Sequence, residues 1–262
     1  MARILAISSH VARGSVGLAA TVPALQWLGH EVWALPTVLL ASRPGLGRLV
    51  RHELPAPDLA AMLAALEADG CWPSLGAVLT GYFPAAAPVT AAAAAVRRIS
   101  QAVPGIPVLV DPIVGDAGRL YVAETTAAAI RDELLPLATI ATPNLFELNW
   151  LTGALASGPS EPLELARRLG PRTVLVTSAR ETDVHVATLA VSQPHTLERC
   201  LPRRQDIPNG AGDLFAGLYL GHLLNGRDPA GALDAGLADL DRVLAASAGC
   251  DVLQVAALLG HG

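Results

Sequence analysis

Apolar residues along this chain fall into two alternating patterns. Short continuous apolar runs are separated by longer stretches in which apolar positions recur every three or four residues, the spacing that gathers them on one face of a helix. Residues 4–7 form the first run, bounded by Ser8-Ser9 and Gly14, and predict a strand buried on both faces. Residues 16–28 have helical spacing and stop at Gly29, and residues 31–40 predict a second strand that runs into an Arg43-Pro44-Gly45 loop. A helix over 58–68 has Asp58 as its starting residue. The alternation goes on to predict strands at 76–80, 107–110, 138–141 and 173–176, and helices at 91–103, 124–135, 146–151 and 162–169. Residues 184–191 and 197–202 predict a late antiparallel pair, followed by helices at 212–224, 229–246 and 252–259.

There is no repeat, long linker or break in composition, so one α/β domain is expected over residues 1–262. Its core is a mainly parallel sheet covered by helices on both faces. In such sheets the ligand site lies outside the carboxyl ends of the strands. Ser9, Gly81-Tyr82, Asp111, Asn144 and Thr177-Ser178 fall at those ends.

Composition narrows the chemistry. With 52% hydrophobic residues, the chain can bury one large core. A net charge of −5, from 18 basic and 23 acidic residues, argues against a nucleic-acid binder. All 18 basic residues are arginine. The lack of lysine excludes a lysine Schiff base, a P-loop lysine and a protein-kinase strand lysine. Phosphate chemistry would fall to backbone amides, metal ions and arginine. The three cysteines, Cys71, Cys200 and Cys250, form no metal-ligand pair, and with no signal-peptide pattern they suggest a reduced, cytoplasmic setting. No apolar run is long enough for a membrane span, and the seven histidines form no metal-binding motif.

Three motifs carry candidate chemistry. In Asn209-Gly210-Ala211-Gly212-Asp213, two glycines let a backbone approach a ligand, and the unpaired first N–H groups of the following helix suit phosphate oxygens. Asp213 is placed to accept the proton of an attacking hydroxyl. The competing reading is a glycine-rich turn whose Asp213 complements the helix dipole. In Asp111-Pro112-Ile113-Val114-Gly115-Asp116, two carboxylates near a strand end suit a hydrated Mg2+ beside a nucleotide, or an ordinary turn. In Asn144-Leu145-Phe146-Glu147, the two polar residues share a helical face and suit a metal shell or phosphate; the alternative is a capping box.

Together these motifs resemble the pyridoxal kinases of the ribokinase-like superfamily. Ser8-Ser9-His10-Val11 with Gly14 and Val16-Gly17, Glu31 to Leu35 with Thr37-Val38, Thr80-Gly81-Tyr82, Asp111 to Asp116, Leu120-Tyr121-Val122, Pro143-Asn144 with Glu147, Thr177-Ser178 and Gly210 to Asp213 follow the family's order over nearly the whole chain. The resemblance implies a three-layer α/β/α fold and ATP-dependent phosphorylation of the 5′-hydroxymethyl of pyridoxal or a related B6 vitamer. It implies Asp213 as base and the amides of Gly210, Ala211 and Gly212 as the phosphoryl cradle. Asp111, Asp116 and Glu147 with Asn144 would organise Mg2+ and the ATP phosphates, with Tyr121, Thr177 and Ser178 alongside. Ser9, Val16 and Tyr82 would frame the pyridine ring. A homodimer is also implied, with a monovalent cation an open question.

One stretch departs from the family. Where pyridoxal kinases carry Ser-Asn-His-Thr after the second strand, this chain has Ala41-Ser42-Arg43-Pro44-Gly45, with Arg43 in the histidine slot. Arg43 can meet an anionic part of a substrate or the γ-phosphate, or be a solvated loop residue. The departure keeps open a hydroxymethylpyrimidine kinase. From another class, a non-catalytic vitamer- or nucleotide-binding protein of the same fold is the rival, against which the intact glycine turn speaks. A dinucleotide oxidoreductase is disfavoured because no strand is followed by Gly-x-Gly-x-x-Gly.

Overall fold

A computed structural model describes residues 1–48, 50–154, 161–192 and 195–260. Its centre is a nine-stranded sheet. The strands are β1 (Arg3–Arg13), β2 (Glu31–Ser42), β3 (Arg51–Glu53), β4 (Ala77–Thr80), β5 (Val108–Val110), β8 (Ile140–Ala141), β9 (Thr173–Glu181), β10 (His185–Ser192) and β11 (His195–Pro202). Their spatial order is β11-β10-β9-β8-β5-β4-β1-β2-β3. The six strands from β2 through β9 run parallel, while β3 at one edge and β10-β11 at the other are antiparallel. A small hairpin, β6 (Gly115–Asp116) with β7 (Arg119–Leu120), stands apart from the sheet.

The central strands are apolar on both faces because both are covered. Leu5, Ile7, Val78, Val108 and Val110 pack under α2 (Ala56–Ala68), α3 (Ala86–Ala102) and α4 (Glu124–Ala129). The alternate residues Ile4, Ala77, Leu79, Leu109, Ile140 and Leu175 pack against α1 (Leu18–Trp27), α7 (Ala211–Leu224) and α8 (Pro229–Ser247). Helices α5 (Leu145–Thr152) and α6 (Glu161–Arg168) cover Val174 and Val176 of β9. Among the described residues, no helix is long and apolar enough to cross a membrane.

The sequence pattern is right about the order of these elements and less so about their ends. Strand β1 does not stop at Ile7. Its pairing with β2 resumes at His10 after an irregularity that skips Ser9. Strand β9 likewise continues past Val176, through a left-handed Ser178 at φ 48°. The helix expected at 124–135 gives way to a π-turn at Ile130–Leu134 and a 3-10 turn at Leu135–Leu137. Pro136 explains the break, since it has no N–H to continue the ladder. The helix expected at 252–259 is only a 3-10 turn, Val255–Leu259. Strand β3 leaves no mark in the sequence, because Arg-His-Glu has no apolar alternation.

Candidate active site

Asp213 lies in the first turn of α7, at the carboxyl side of the sheet. The helix begins at Gly210, whose φ of 116° and ψ of 0° belong to the left-handed region, and no side chain caps it. A Cβ at Gly210 would overlap the carbonyl oxygen of Ser15, so only glycine permits this approach. At Gly212, by contrast, a Cβ would point into open space. The first N–H groups of α7 are thus left without a side-chain cap, with free space on the Gly212 side.

The Asp213 carboxylate accepts a hydrogen bond from the amide of Gly17, and its main-chain carbonyl accepts one from Thr21 Oγ1 at 3.1 Å. Burial pushes its pKa up from the ordinary 3.8 to about 6, with the Gly17 bond opposing the rise.

Asp111 follows β5 and is 6% exposed. Burial first, and then the charge of Asp213, raise its pKa to about 8, while the hydrogen bond from Thr142 Oγ1 at 2.9 Å to Asp111 Oδ1 opposes the shift. Glu147 is also buried, and its pKa lies well above the usual value, chiefly through desolvation and then the charge of Asp111. Tyr121, 51% exposed, is raised by burial and by the charges of Asp116 and Glu147. The structure thus brings Asp213, Asp111, Glu147, Tyr121 and Asp116 into one electrostatic neighbourhood. Among the described residues, no arginine forms an ion pair with Asp111, Glu147 or Asp213.

Asn144 and Glu147 form the capping box that the sequence admitted as an alternative. Asn144 Oδ1 accepts from the Glu147 amide at 2.8 Å, and Glu147 Oε2 accepts from the Asn144 amide at 2.9 Å. Glu147 Oε1 also accepts from the amides of Val114 (3.0 Å) and Gly115 (3.4 Å), and Asn144 Nδ2 donates to the Gly115 carbonyl at 2.9 Å. The pair therefore clamps the 111–116 segment to α5. Thr177 pairs with Asn144 in an isolated parallel bridge, which sets Ser178 beside them in sequence. Asp116 is exposed, its Oδ1 accepting from the adjacent Ala117 amide at 2.7 Å. Among the described residues, no group of three or more His, Cys, Asp or Glu side chains is arranged to hold a metal ion.

Ser9 is buried beside Gly17, whose Cβ, if present, would overlap the Ser9 carbonyl and hydroxyl. Val16 is half-buried one residue before it. Tyr82 is half-buried, and its main chain is fixed by Ser8 Oγ, which accepts from its amide at 3.0 Å, and by Thr37 Oγ1, which donates to its carbonyl at 2.7 Å. Arg43 points elsewhere: its Nε (3.1 Å) and Nη2 (2.7 Å) both donate to the Asp251 carbonyl. Two surface depressions, of about 400 Å3 beside Trp33 and Met62 and about 360 Å3 beside Arg167 and Arg172, include none of the site residues above.

Residues 54–251 match the family model described as phosphomethylpyrimidine kinase. A pyridoxal kinase PdxY of Corynebacterium diphtheriae is 35% identical over 237 residues, covering 88% of this chain and 84% of that protein. The chain belongs to the phosphomethylpyrimidine and pyridoxal kinase family. It is an ATP-dependent kinase of that family, with the ribokinase-like fold. Pyridoxal kinase from Entamoeba histolytica has a TM-score of 0.91 with it at 25% identity, covering 98% of this chain and 93% of that one. Pyridoxal kinase from Leishmania donovani, in complex with ADP and pyridoxamine, has a TM-score of 0.88 at 27% identity, covering 97% and 93%.

Sequence reasoning overlooks several residues that shape the site of this kinase. Gly17 is visible only as part of a Val-Gly pair, yet its amide holds Asp213. Thr21 sits inside a helix, Thr37 in the middle of β2 and Thr142 just after a strand, and nothing in their spacing signals their hydrogen bonds. Thr142 does directly follow a strand, the one available hint.

Proposed function

We propose that this kinase transfers the γ-phosphoryl group of ATP to the 5′-hydroxymethyl of pyridoxal or a related B6 vitamer, giving pyridoxal 5′-phosphate and ADP. The observation that carries the reading is Asp213. It is a carboxylate with a pKa near 6, set in the first turn of a helix that no side chain caps and whose Gly212 faces open space. At neutral pH it is ionised and takes the proton of the substrate hydroxyl as the oxygen attacks phosphorus. The amides of Gly210, Ala211 and Gly212 hold the charge that develops on the transferring oxygens. Ser9, Val16 and Tyr82 frame the pyridine ring. Asn144, Tyr121, Thr177 and Ser178 lie along the ATP phosphates.

The concentration of buried carboxylate without an arginine partner suits a divalent cation. Since the described carboxylates do not form a closed cage, the fit is to a largely hydrated Mg2+ carried on the nucleotide, as Mg2+ usually is. Asp111, Asp116 and Glu147 would face its water shell, Glu147 with three of its acceptor positions already filled by backbone amides. Bound there, the ion would neutralise charge on the phosphates. A single domain, supported by the unbroken sequence pattern, a cytoplasmic setting, supported by the three scattered cysteines, and a homodimer, supported by family resemblance, complete the reading; a monovalent cation is left open.

A second reading, a hydroxymethylpyrimidine kinase, is favoured by the family match and by the Arg43-Pro44 departure. Purified protein with ATP, Mg2+ and pyridoxal should form pyridoxal 5′-phosphate, with kcat/KM higher than for hydroxymethylpyrimidine. The opposite preference would replace the first reading with the second. Binding without ADP release would overturn both.

A further inference from the structure

Arg43 begins the loop after β2, its amide donating to the Arg13 carbonyl at 3.0 Å. Its stem lies over Gly14, 3.1 Å from where a Cβ there would be. Beyond the stem, the guanidinium grips a different part of the chain. Nε and Nη2 converge on the Asp251 carbonyl, and Nη1 donates to the carbonyl of Pro44 at 3.2 Å. All three nitrogens are thereby engaged by backbone.

The segment that Arg43 holds, residues 249–254, is tied back to Ser247 Oγ by the Gln254 amide at 2.8 Å and is pinned at two points that lead to the glycine turn. Ser15 Oγ donates to the Leu253 carbonyl at 3.0 Å, and the Ser15 carbonyl is the atom against which Gly210 packs. Leu253 Cδ1 lies 3.1 Å from the same Cβ position on Gly210. The Gly249 amide donates to the Asp206 carbonyl at 3.2 Å, just before the turn. The Arg13–Asp251 ion pair, 3.5 Å long and exposed, adds little to this. The Arg43 bonds are exposed as well, but two of them converge on one carbonyl, and a planar fork makes them at low cost in side-chain freedom.

We propose that Arg43 is a positioning residue for phosphoryl transfer. Its fork straps the 249–254 segment across the Ser15 loop and so braces the Gly210 backbone that cradles the phosphoryl group. It acts through Asp251, Leu253 and Ser15, without touching substrate. The role rests on the kinase reading of the Gly210 turn; the strap itself does not.

The test is Arg43→Met, which keeps the stem and removes the fork, beside Arg43→Lys and an Arg48→Met control in the same loop. Backbone hydrogen exchange on the full chain should show the amides of Gly249 and Leu214, bonded to Asp206 and Gly210, exchanging about tenfold faster in Arg43→Met. kcat should fall about tenfold while KM for ATP and for pyridoxal stays within about twofold, with partial recovery in Arg43→Lys. Unchanged exchange at these amides, or a raised KM with kcat intact, would overturn the proposal and return Arg43 to the substrate. If the parent protein phosphorylates neither pyridoxal nor hydroxymethylpyrimidine, the functional reading fails, while the exchange comparison still decides the strap.

Discussion

The amide of Gly17 donates to the carboxylate of Asp213, joining residues from opposite ends of the chain. The contact forms where the N-terminus of α1 meets that of α7, and the Thr21 hydroxyl reinforces it at the Asp213 carbonyl. It has a chemical consequence. Burial alone would keep the carboxyl protonated, and one backbone donor favours the ionised form.

The pKa of about 6 for Asp213 predicts the acid limb of the pH profile. Below that pH the carboxyl carries a proton and cannot accept another, so kcat/KM should rise with pH through about 6 and then level. Asp111, raised to about 8 by burial and by the charge of Asp213, keeps its proton through this limb, so the limb belongs to Asp213. A profile of kcat/KM for pyridoxal, at fixed saturating Mg-ATP, checks it; a flat profile from pH 5 to 7, about one unit either side of that value, would remove Asp213 as base.

Asp213→Asn keeps the shape and loses the proton acceptor. Its kcat should fall by about 10²–10⁴ with the melting temperature unchanged or slightly higher. Single-turnover ADP formation and a thermal melt read both, and near-parental turnover would refute the assignment.

Asp111→Asn should stabilise the nucleotide-free protein at pH 8 while impairing Mg-dependent activity. The folded state holds the Asp111 proton up to about pH 8, whereas the unfolded chain releases it near 3.8. Between those values the folded state binds more protons, so rising pH favours unfolding and the charge is a burden on the fold. Asparagine removes that burden and still accepts the Thr142 hydroxyl. A gain on the order of 2–4 kcal/mol is expected at pH 8, shrinking towards zero near pH 4. Melts at the two pH values would contradict this if the variant were equally or less stable at pH 8.

Gly210→Ala and Gly212→Ala should behave differently although they stand two residues apart. At Gly210 the new methyl meets the Ser15 carbonyl in a left-handed backbone, and a loss of about 2 kcal/mol or more is expected, with activity abolished. At Gly212 the methyl enters open space, so the protein should melt as the parent does. Its KM for ATP should rise if the proposed phosphoryl cradle uses that space. Denaturant curves and ATP titrations of the two variants separate these effects; equal stability would refute the close contact at Gly210.

Much of the site was legible because strand-end polar residues interrupt long apolar runs. Asp111, Asn144, Thr177 and the Gly210–Asp213 turn stand out for that reason. Glu147 was legible as two alternatives, and the structure gives it the capping box through bonds to Asn144, Val114 and Gly115. Arg43 was visible only as a departure from a family pattern. Its partner is a backbone carbonyl far along the chain, and a carbonyl leaves no trace in residue type.

Local pattern determined the strand and helix order and which faces are buried, since periodicity follows from side-chain direction in each element. It also excluded lysine-based chemistry outright, since the chain has none. Only the tertiary structure decided that Gly17 steadies Asp213, that the charge of Asp213 raises the pKa of Asp111, and that Arg43 turns from the site to hold Asp251. Each of these depends on distances between segments remote in sequence. Charge, burial and backbone hydrogen bonds act through space, and that space exists only once the helices have packed onto the two faces of the sheet.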